Sequence, residues 1–198
     1  KLKHIVSKDA FDIEGLGKKV VDNFWELRFI RTPADIFSLD YVKIEKLEGW
    51  GKLSIKNLQN AINKSKSISL DRFIYSIGIR HIGQENAKTL ANFFKNSEKF
   101  SELFSVEKRK DILSNLDDLD GIGDTQIKSI EDFFDNKKNS KIIQSLMIAL
   151  NVKDFQKVNK TGKLSNKSIM FTGGFEKMSR SEAKALAEEN GAKILGSV

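Results

Sequence analysis

Four short segments of this chain repeat one pattern, and that repeat constrains the fold more than any single motif. IEGLGKKVV at 13–21, LEGWGKLSI at 47–55, IRHIGQENA at 79–87 and LDGIGDTQI at 119–127 share one form. Each has an apolar residue, a spacer, a tight small-apolar-Gly turn, three mostly polar residues and an apolar residue that opens a helical face. The first turn position falls at 15, 49, 81 and 121, at intervals of 34, 32 and 40 residues. That position is Gly15, Gly49 and Gly121 in three copies and His81 in the other, and the final Gly is present in all four. Self-similarity at such a period marks a supersecondary unit used several times.

Helical periodicity follows every turn. Val21, Phe24 and Trp25 follow Gly17; Ile55, Leu58 and Ile62 follow Gly51; Ala87, Leu90, Ala91 and Phe94 follow Gly83; Ile127, Ile130 and Phe134 follow Gly123. Each set predicts one buried stripe. Apolar-patterned segments also precede turns, as in Tyr41 to Leu47 and Leu70 to Ile77, so the unit reads as helix, turn, helix. One short unit cannot bury its stripe alone, which makes a pair of units the smallest credible domain. The intervals predict pairs at 1–66 and 67–150, the second closed by a helix bearing Ile142, Ile143, Leu146, Met147 and Leu150. Pro33 and KSKSIS at 64–69 fit connections, and residues 151–163 read as a linker.

Residues 164–198 change character. Ile169 to Phe171 predict a short strand, followed by Thr172, Gly173 and Gly174. Ser179 and Glu182 have capping-box spacing and open a helix whose buried side includes Ala183, Leu186 and Ala187. Gly191 ends it, and Ala192 to Leu195 predict a second strand, so this part reads as the start of an α/β domain. The chain opens on Lys1 and closes on an unfinished alternation of strand and helix, and a piece of a longer protein is expected.

Composition narrows the function classes. An apolar content of 39% with 14 Phe fits a folded globular chain. The sequence has no run of 18 apolar residues and no apolar core after its charged opening, so neither a membrane span nor a secretory signal is expected, and a cytoplasmic location is the default. With no Cys and only His4 and His81, it offers no disulfide, thiol nucleophile or usual Cys/His metal cluster. The net charge of +7 favours a polyanionic partner, and its distribution is uneven: +4 over residues 1–70, −1 over 71–150 and +4 over 151–198.

A Gly turn feeding a helix leaves first-turn amides pointing outward, at an end where the helix dipole favours an anion. A phosphate fits such a nest without any base contact. Leu16, Trp50, Ile82 and Ile122 are placed to plug back between helices and hold the turns rigid. Lys18 and Lys19, Lys52 and Lys56, and Arg80 with His81 add positive field, whereas Asp117, Asp118, Asp120 and Asp124 oppose a phosphate at the fourth turn. Sequence-independent, salt-sensitive binding of a nucleic-acid backbone is expected. Competing motifs are weak: Gly78 and Gly83 have phosphate-loop spacing, but Gln84 stands where the Lys is required, and no turn has the full dinucleotide-binding pattern. No nucleophile, base and orienting group form a catalytic set.

FDIEGLGKKVV, KLEGWGKLSIKNLQNAINKSKSISLDRFIYSIGIRHIGQENAKTLANFF and LDGIGDTQIKSIEDFF resemble the four helix-hairpin-helix motifs of bacterial NAD-dependent DNA ligases. SKSISLDRFIYSIGIRHIG is the most specific stretch. KSIMFTGGFEKMSRSEAKALAEENGAKILGSV resembles the opening half of the BRCT domain that ends those enzymes, and residues 1–12 resemble the segment after their four-cysteine zinc module. The resemblance implies a mainly α fold of tandem helix-hairpin-helix repeats in two pairs, followed by a partial α/β BRCT-like domain. It implies a full enzyme that joins a 3′-hydroxyl to a 5′-phosphate at a nick. That enzyme would use NAD to adenylate a lysine, with magnesium, and would carry adenylation, oligonucleotide-binding and zinc domains upstream. None of those catalytic or zinc motifs is in this sequence, which is expected to bind nicked duplex DNA and to be inactive alone. Carried onto these residues, Gly15, Leu16, Gly17, Lys18, Gly49, Trp50, Gly51, Lys52, Arg80, His81, Ile82, Gly83, Gly121, Ile122 and Gly123 form the contact turns. Thr172 and Gly173 match a turn that receives phosphate in some relatives. Two alternatives stand beside this reading: a non-enzymatic DNA-structure-binding module of a repair or recombination protein, and a helical protein-interaction scaffold.

Overall fold

The computed structural model describes residues 1–156, 162–165, 167–172, 175, 178 and 180–195. Gly173, Gly174 and Ser179, which carry the expected phosphate turn and capping pair, lie outside the described residues, as do 157–161 of the expected linker. The chain divides into two compact units, Lys1–Phe155 and Gln156–Val198.

The first unit is almost entirely helical. In chain order come α1 (Leu2–Ile5), α2 (Lys18–Glu26), a 3-10 turn (Pro33–Ser38), α3 (Tyr41–Glu45), α4 (Lys52–Ser65), strand β1 (Ser67–Ser69), α5 (Leu70–Ser76), α6 (Gln84–Phe94) and α7 (Ser97–Ser101). A second 3-10 turn (Glu102–Phe104), α8 (Val106–Leu116), α9 (Asp124–Asp135), α10 (Lys137–Ala149) and β2 (Asn151–Lys153) complete it. The four repeats supply α2, α4, α6 and α9, each beginning directly after its turn. The expected stripes are buried: Ile55, Leu58 and Ile62 on α4, and Ala87, Leu90, Ala91 and Phe94 on α6. Trp25 departs from its predicted stripe, being 44% exposed beneath Arg31, whose guanidinium lies 4.7 Å from the ring. One residue past the fully buried Phe24, it has rotated about 100° around the helix and off the buried face.

One apolar cluster runs from Ile5 to Leu146, so the repeats share a core. Phe100 of α7 stands at the centre of its aromatic part, in edge contact with Phe73 of α5 at 6.0 Å, Phe94 of α6 at 5.3 Å and Phe134 of α9 at 5.8 Å. Polar clasps tie the N-terminal segment to the middle of the chain. The Arg72 guanidinium donates to the carbonyls of Ala10 (2.9 Å) and Lys8 (3.1 Å), and His4 Nε2 bonds the Tyr75 carbonyl at 2.9 Å. The buried Arg109 of α8 donates to the Leu103 carbonyl at 2.8 Å and pairs with Asp135 at the end of α9.

The predicted connection at 64–69 and the predicted start of a linker at Asn151 are both partly strand. β1 and β2 pair in parallel with Ile68 opposite Val152, and the Asn151 amide donates to the Lys66 carbonyl at 2.8 Å. Two three-residue segments were too short for period-two patterning to distinguish from loop.

In the second unit, β3 (Ser168–Ile169) and β4 (Lys193–Ile194) pair in parallel, joined through α11 (Arg180–Glu189). This is the expected strand, helix, strand order. Ala183 and Ala187, one turn apart, are buried on α11, whereas Leu186, expected beside them, is 51% exposed. Leu186 lies about 100° around the helix from Ala187, off the buried face. Gly191 ends it at φ +89°, a left-handed conformation that suits Gly. Among the described residues, no helix is long and apolar enough to cross a membrane.

Candidate nucleic-acid interface

The four repeats fold into four turns of one geometry. The amides of Leu16, Trp50, Ile82 and Ile122 donate to the carbonyls of Ile13, Leu47, Ile79 and Leu119 at 3.2, 3.1, 3.2 and 3.0 Å. The residue before each donor has positive φ: Gly15 +86°, Gly49 +83°, His81 +63° and Gly121 +85°. A four-residue turn with its third residue left-handed is the type II pattern, which explains Gly there. His81 holds the same conformation with a side chain, and its carbonyl is fixed by a 3.2 Å hydrogen bond from Asn86 Nδ2. The plug residues Leu16, Ile82 and Ile122 are buried, so their backbones rather than their side chains are available to a ligand. Trp50 is half-buried and packs on Phe24 at 5.4 Å.

The last Gly of each turn has no such conformational reason. Gly17 and Gly51 lie at φ −64° and −94° as N-caps of α2 and α4, and Gly83 at −82° caps α6. A Cβ built on any of these three meets no atom within 4 Å. Backbone and packing would both accept a side chain there. What the missing side chain provides is an uncovered helix N-terminus.

The helix starts confirm the contrast. Among the described residues, α3, α7, α8 and α10 begin under a side-chain cap from Asp40, Asn96, Ser105 and Asn136. The helices after the first three turns have no side-chain cap, as is also true of α1 and α5. Lys18 and Lys19 open α2 and Lys52 opens α4, with no acid in either first turn. A cation at the positive end of a helix dipole costs roughly 0.3–1 kcal/mol instead of stabilising it. Uncapped amides, dipole and lysines thus concentrate positive potential where the backbone is bare. Lys18, Lys19, Lys52, Lys56, Arg80 and His81 are all exposed.

The fourth turn differs. The Gly123 amide donates to Gln126 Oε1 at 3.2 Å, Gly123 is half-buried, and Asp124 opens α9. Its Gly123 amide is thus satisfied by its own helix. The two pairs of turns differ in the same sense. Between the first and second turns lies an open groove lined by Gly15, Val20, Gly49, Trp50, Ser54 and Asn57. Between the third and fourth, polar side chains occupy the corresponding ground: His81 Nδ1 meets Ser129 Oγ at 3.2 Å, Asn86 reaches the His81 carbonyl, and Gln126 caps Gly123. Asn86, Gln126 and Ser129 escaped the sequence reading. Only Gln126 carried a legible signal, standing three residues after a helix-opening Gly where a capping side chain turns back.

Residues 72–143 match the family described as Helix-hairpin-helix motif, and residues 159–198 match the BRCA1 C Terminus (BRCT) domain. Over its full length the chain is 54% identical to a DNA ligase of Pelagibacter ubique (strain HTCC1062) and 45% identical to one of Rickettsia bellii (strain OSU 85-389). The DNA ligase of Rickettsia prowazekii (strain Madrid E) is 45% identical over 98% of the chain. The chain is homologous to bacterial DNA ligases. It spans 29–30% of the length of these three ligases, within a helix-hairpin-helix and BRCT region. The third and fourth turns therefore lie within the helix-hairpin-helix match of a ligase-homologous chain that is mainly helical, with a small β-containing BRCT-like segment. Among the described residues, no group of three or more His, Cys, Asp or Glu is placed to hold a metal ion. A four-cysteine zinc set does not fit a chain without Cys.

Proposed function

We propose that this chain is the non-catalytic DNA clamp of an NAD-dependent DNA ligase, holding nicked duplex through the phosphate backbone without reading sequence. The supporting observation is the last Gly of the first three turns: unstrained, unhindered, and set at an uncapped helix start beside exposed cations. Amides of Gly17 and Lys18, of Gly51 and Lys52, and of Gly83 and Gln84 face the phosphates, with Lys19, Lys56 and Arg80 adding charge. The fourth hairpin, Gly121 to Gly123, supports the third more than it binds.

The whole protein would seal a 3′-hydroxyl to a 5′-phosphate in bacterial replication and repair. Its NAD, magnesium and zinc chemistry would rest on adenylation, oligonucleotide-binding and zinc domains beyond these residues, and its setting would be the cytoplasm. Thr172 and Gly173 remain a proposed phosphate turn of the BRCT-like part. The test is nicked-duplex affinity for Gly51→Leu and Gly83→Leu, with helicity checked by circular dichroism. Each is expected to weaken binding about tenfold or more in a folded chain, by the cost of losing charge-assisted amide bonds. Unchanged affinity in both folded variants would contradict the hairpin mechanism, and no binding by the parent chain at low salt would favour a protein-interaction scaffold.

A further inference from the structure

The third turn carries a histidine whose Nδ1 meets a serine hydroxyl that already donates elsewhere. Ser129 Oγ donates its single proton to the Thr125 carbonyl at 2.8 Å, one turn back on α9. The same oxygen lies 3.2 Å from His81 Nδ1 and, with its proton committed, can only accept there. His81 Nδ1 is therefore the donor. In a neutral imidazole that choice leaves Nε2 as a bare acceptor. Nε2 is the ring nitrogen left over from the Ser129 contact, on an exposed side chain two residues before Gly83, the N-cap of α6. The backbone that carries the ring is also held: His81 sits at φ +63°, and its carbonyl accepts from Asn86.

A phosphodiester oxygen only accepts hydrogen bonds. Against the neutral, Nδ1-protonated ring it would meet a lone pair; against the imidazolium it would meet an N–H donor and a positive charge. We infer that His81 engages DNA phosphate as an imidazolium, so that binding at the third hairpin takes up a proton. This rests on the clamp reading above and adds to it a specific proton-linked ligand.

The charged groups on the elements around His81 are of both signs. Arg80 adjoins His81 in the turn; on α6, Glu85 and Lys88 pair at 3.7 Å. On α9, Asp124 opens the helix, and Lys128 is bonded to Asp132 at 2.9 Å and to Glu131 at 3.1 Å. Asp120 lies in the neighbouring turn.

The experiment measures affinity for an intact duplex lacking terminal phosphates, at about pH 6 and about pH 8, the range in which imidazoles change charge. It uses the whole chain, His81→Asn and Ser129→Ala. Asn accepts the left-handed backbone and carries no titrating group. Wild-type affinity is expected to be about three- to tenfold higher at the lower pH, as for one charge-assisted hydrogen bond, and His81→Asn to lose that dependence. Ser129→Ala frees the ring to take the Nε2–H tautomer while neutral, so it is expected to flatten the pH profile by raising affinity near pH 8 above that of wild type. Calorimetry in buffers of different ionisation enthalpy should show the proton uptake in wild type and not in His81→Asn. Equal pH dependence in wild type and His81→Asn would overturn the inference while leaving the clamp reading intact. A wild-type pH profile in Ser129→Ala would overturn the tautomer assignment. No duplex binding at either pH would overturn the clamp reading and this inference with it.

Discussion

Each of the first two turns holds two glycines with different physical tasks. Gly49 sits at φ +83° with open space around it, so Gly49→Ala is expected to cost about 1 kcal/mol, the left-handed penalty of an L-residue, and to lower the melting temperature. Gly51 sits at an ordinary φ of −94° at the N-cap of α4, a position where Ser is a good capping residue. Gly51→Ser should hold or raise the melting temperature while weakening duplex binding, because its hydroxyl would occupy the seat meant for phosphate. A fall in stability with unchanged binding would contradict the assignment. The first glycine of each turn was legible in the sequence, since the repeat placed it where a tight turn needs positive φ. The task of the second was not, because a sequence shows that a side chain is missing without showing whether the fold had room for one. Equally hidden were the partners of His81: Ser129 is 48 residues away and meets it only after the third and fourth hairpins pack together.

At the scale of elements, the helices were predictable wherever a four-residue apolar rhythm ran for two turns or more, as on α4, α6 and α9. The three-residue strands of the first unit were not, whereas the two strands of the second unit fall where the sequence placed them, at Ile169 and between Ala192 and Leu195. β2 nonetheless closes the helical unit against β1. Ending the chain at Leu150 removes that pairing and the partly buried Val152, and is expected to lower the melting temperature relative to a chain ending at Gln156. The junction of α8 and α9 makes a sharper prediction. Arg109 has 4% of its side chain exposed and Asp135 has 59%. Losing Asp135 lets water or the Leu103 carbonyl satisfy the guanidinium, whereas losing Arg109 removes its buried stem and both hydrogen bonds. Arg109→Ala should therefore cost about 2 kcal/mol or more in urea unfolding, and Asp135→Ala about 1 kcal/mol or less. Equal losses would mean that the ion pair, and not the packed stem, holds the two helices.

Across the first unit, a single apolar cluster couples hairpins that the sequence divided into pairs. Phe100 joins α5, α6, α7 and α9 at one point, so Phe100→Ala is expected to cost about 3–5 kcal/mol and to lower the unfolding midpoint without splitting the transition. Rigid coupling is what a clamp requires, because turns held at fixed separations can meet several phosphates of one duplex together. The charge follows the same plan: the first two hairpins carry their own lysines, the third sets Arg80 beside His81, and the fourth is acidic and self-capped. Five permanent cations, Lys18, Lys19, Lys52, Lys56 and Arg80, stand at the uncovered turns. At about 0.9 counterions released per phosphate neutralised, the logarithm of duplex affinity should fall against the logarithm of salt with a slope of about −4. The same measurement on unrelated duplex sequences should give nearly the same line, and Lys18→Gln with Lys52→Gln should reduce the slope by about 2. A slope near zero, or one untouched by removing both lysines, would contradict a phosphate clamp built from these turns.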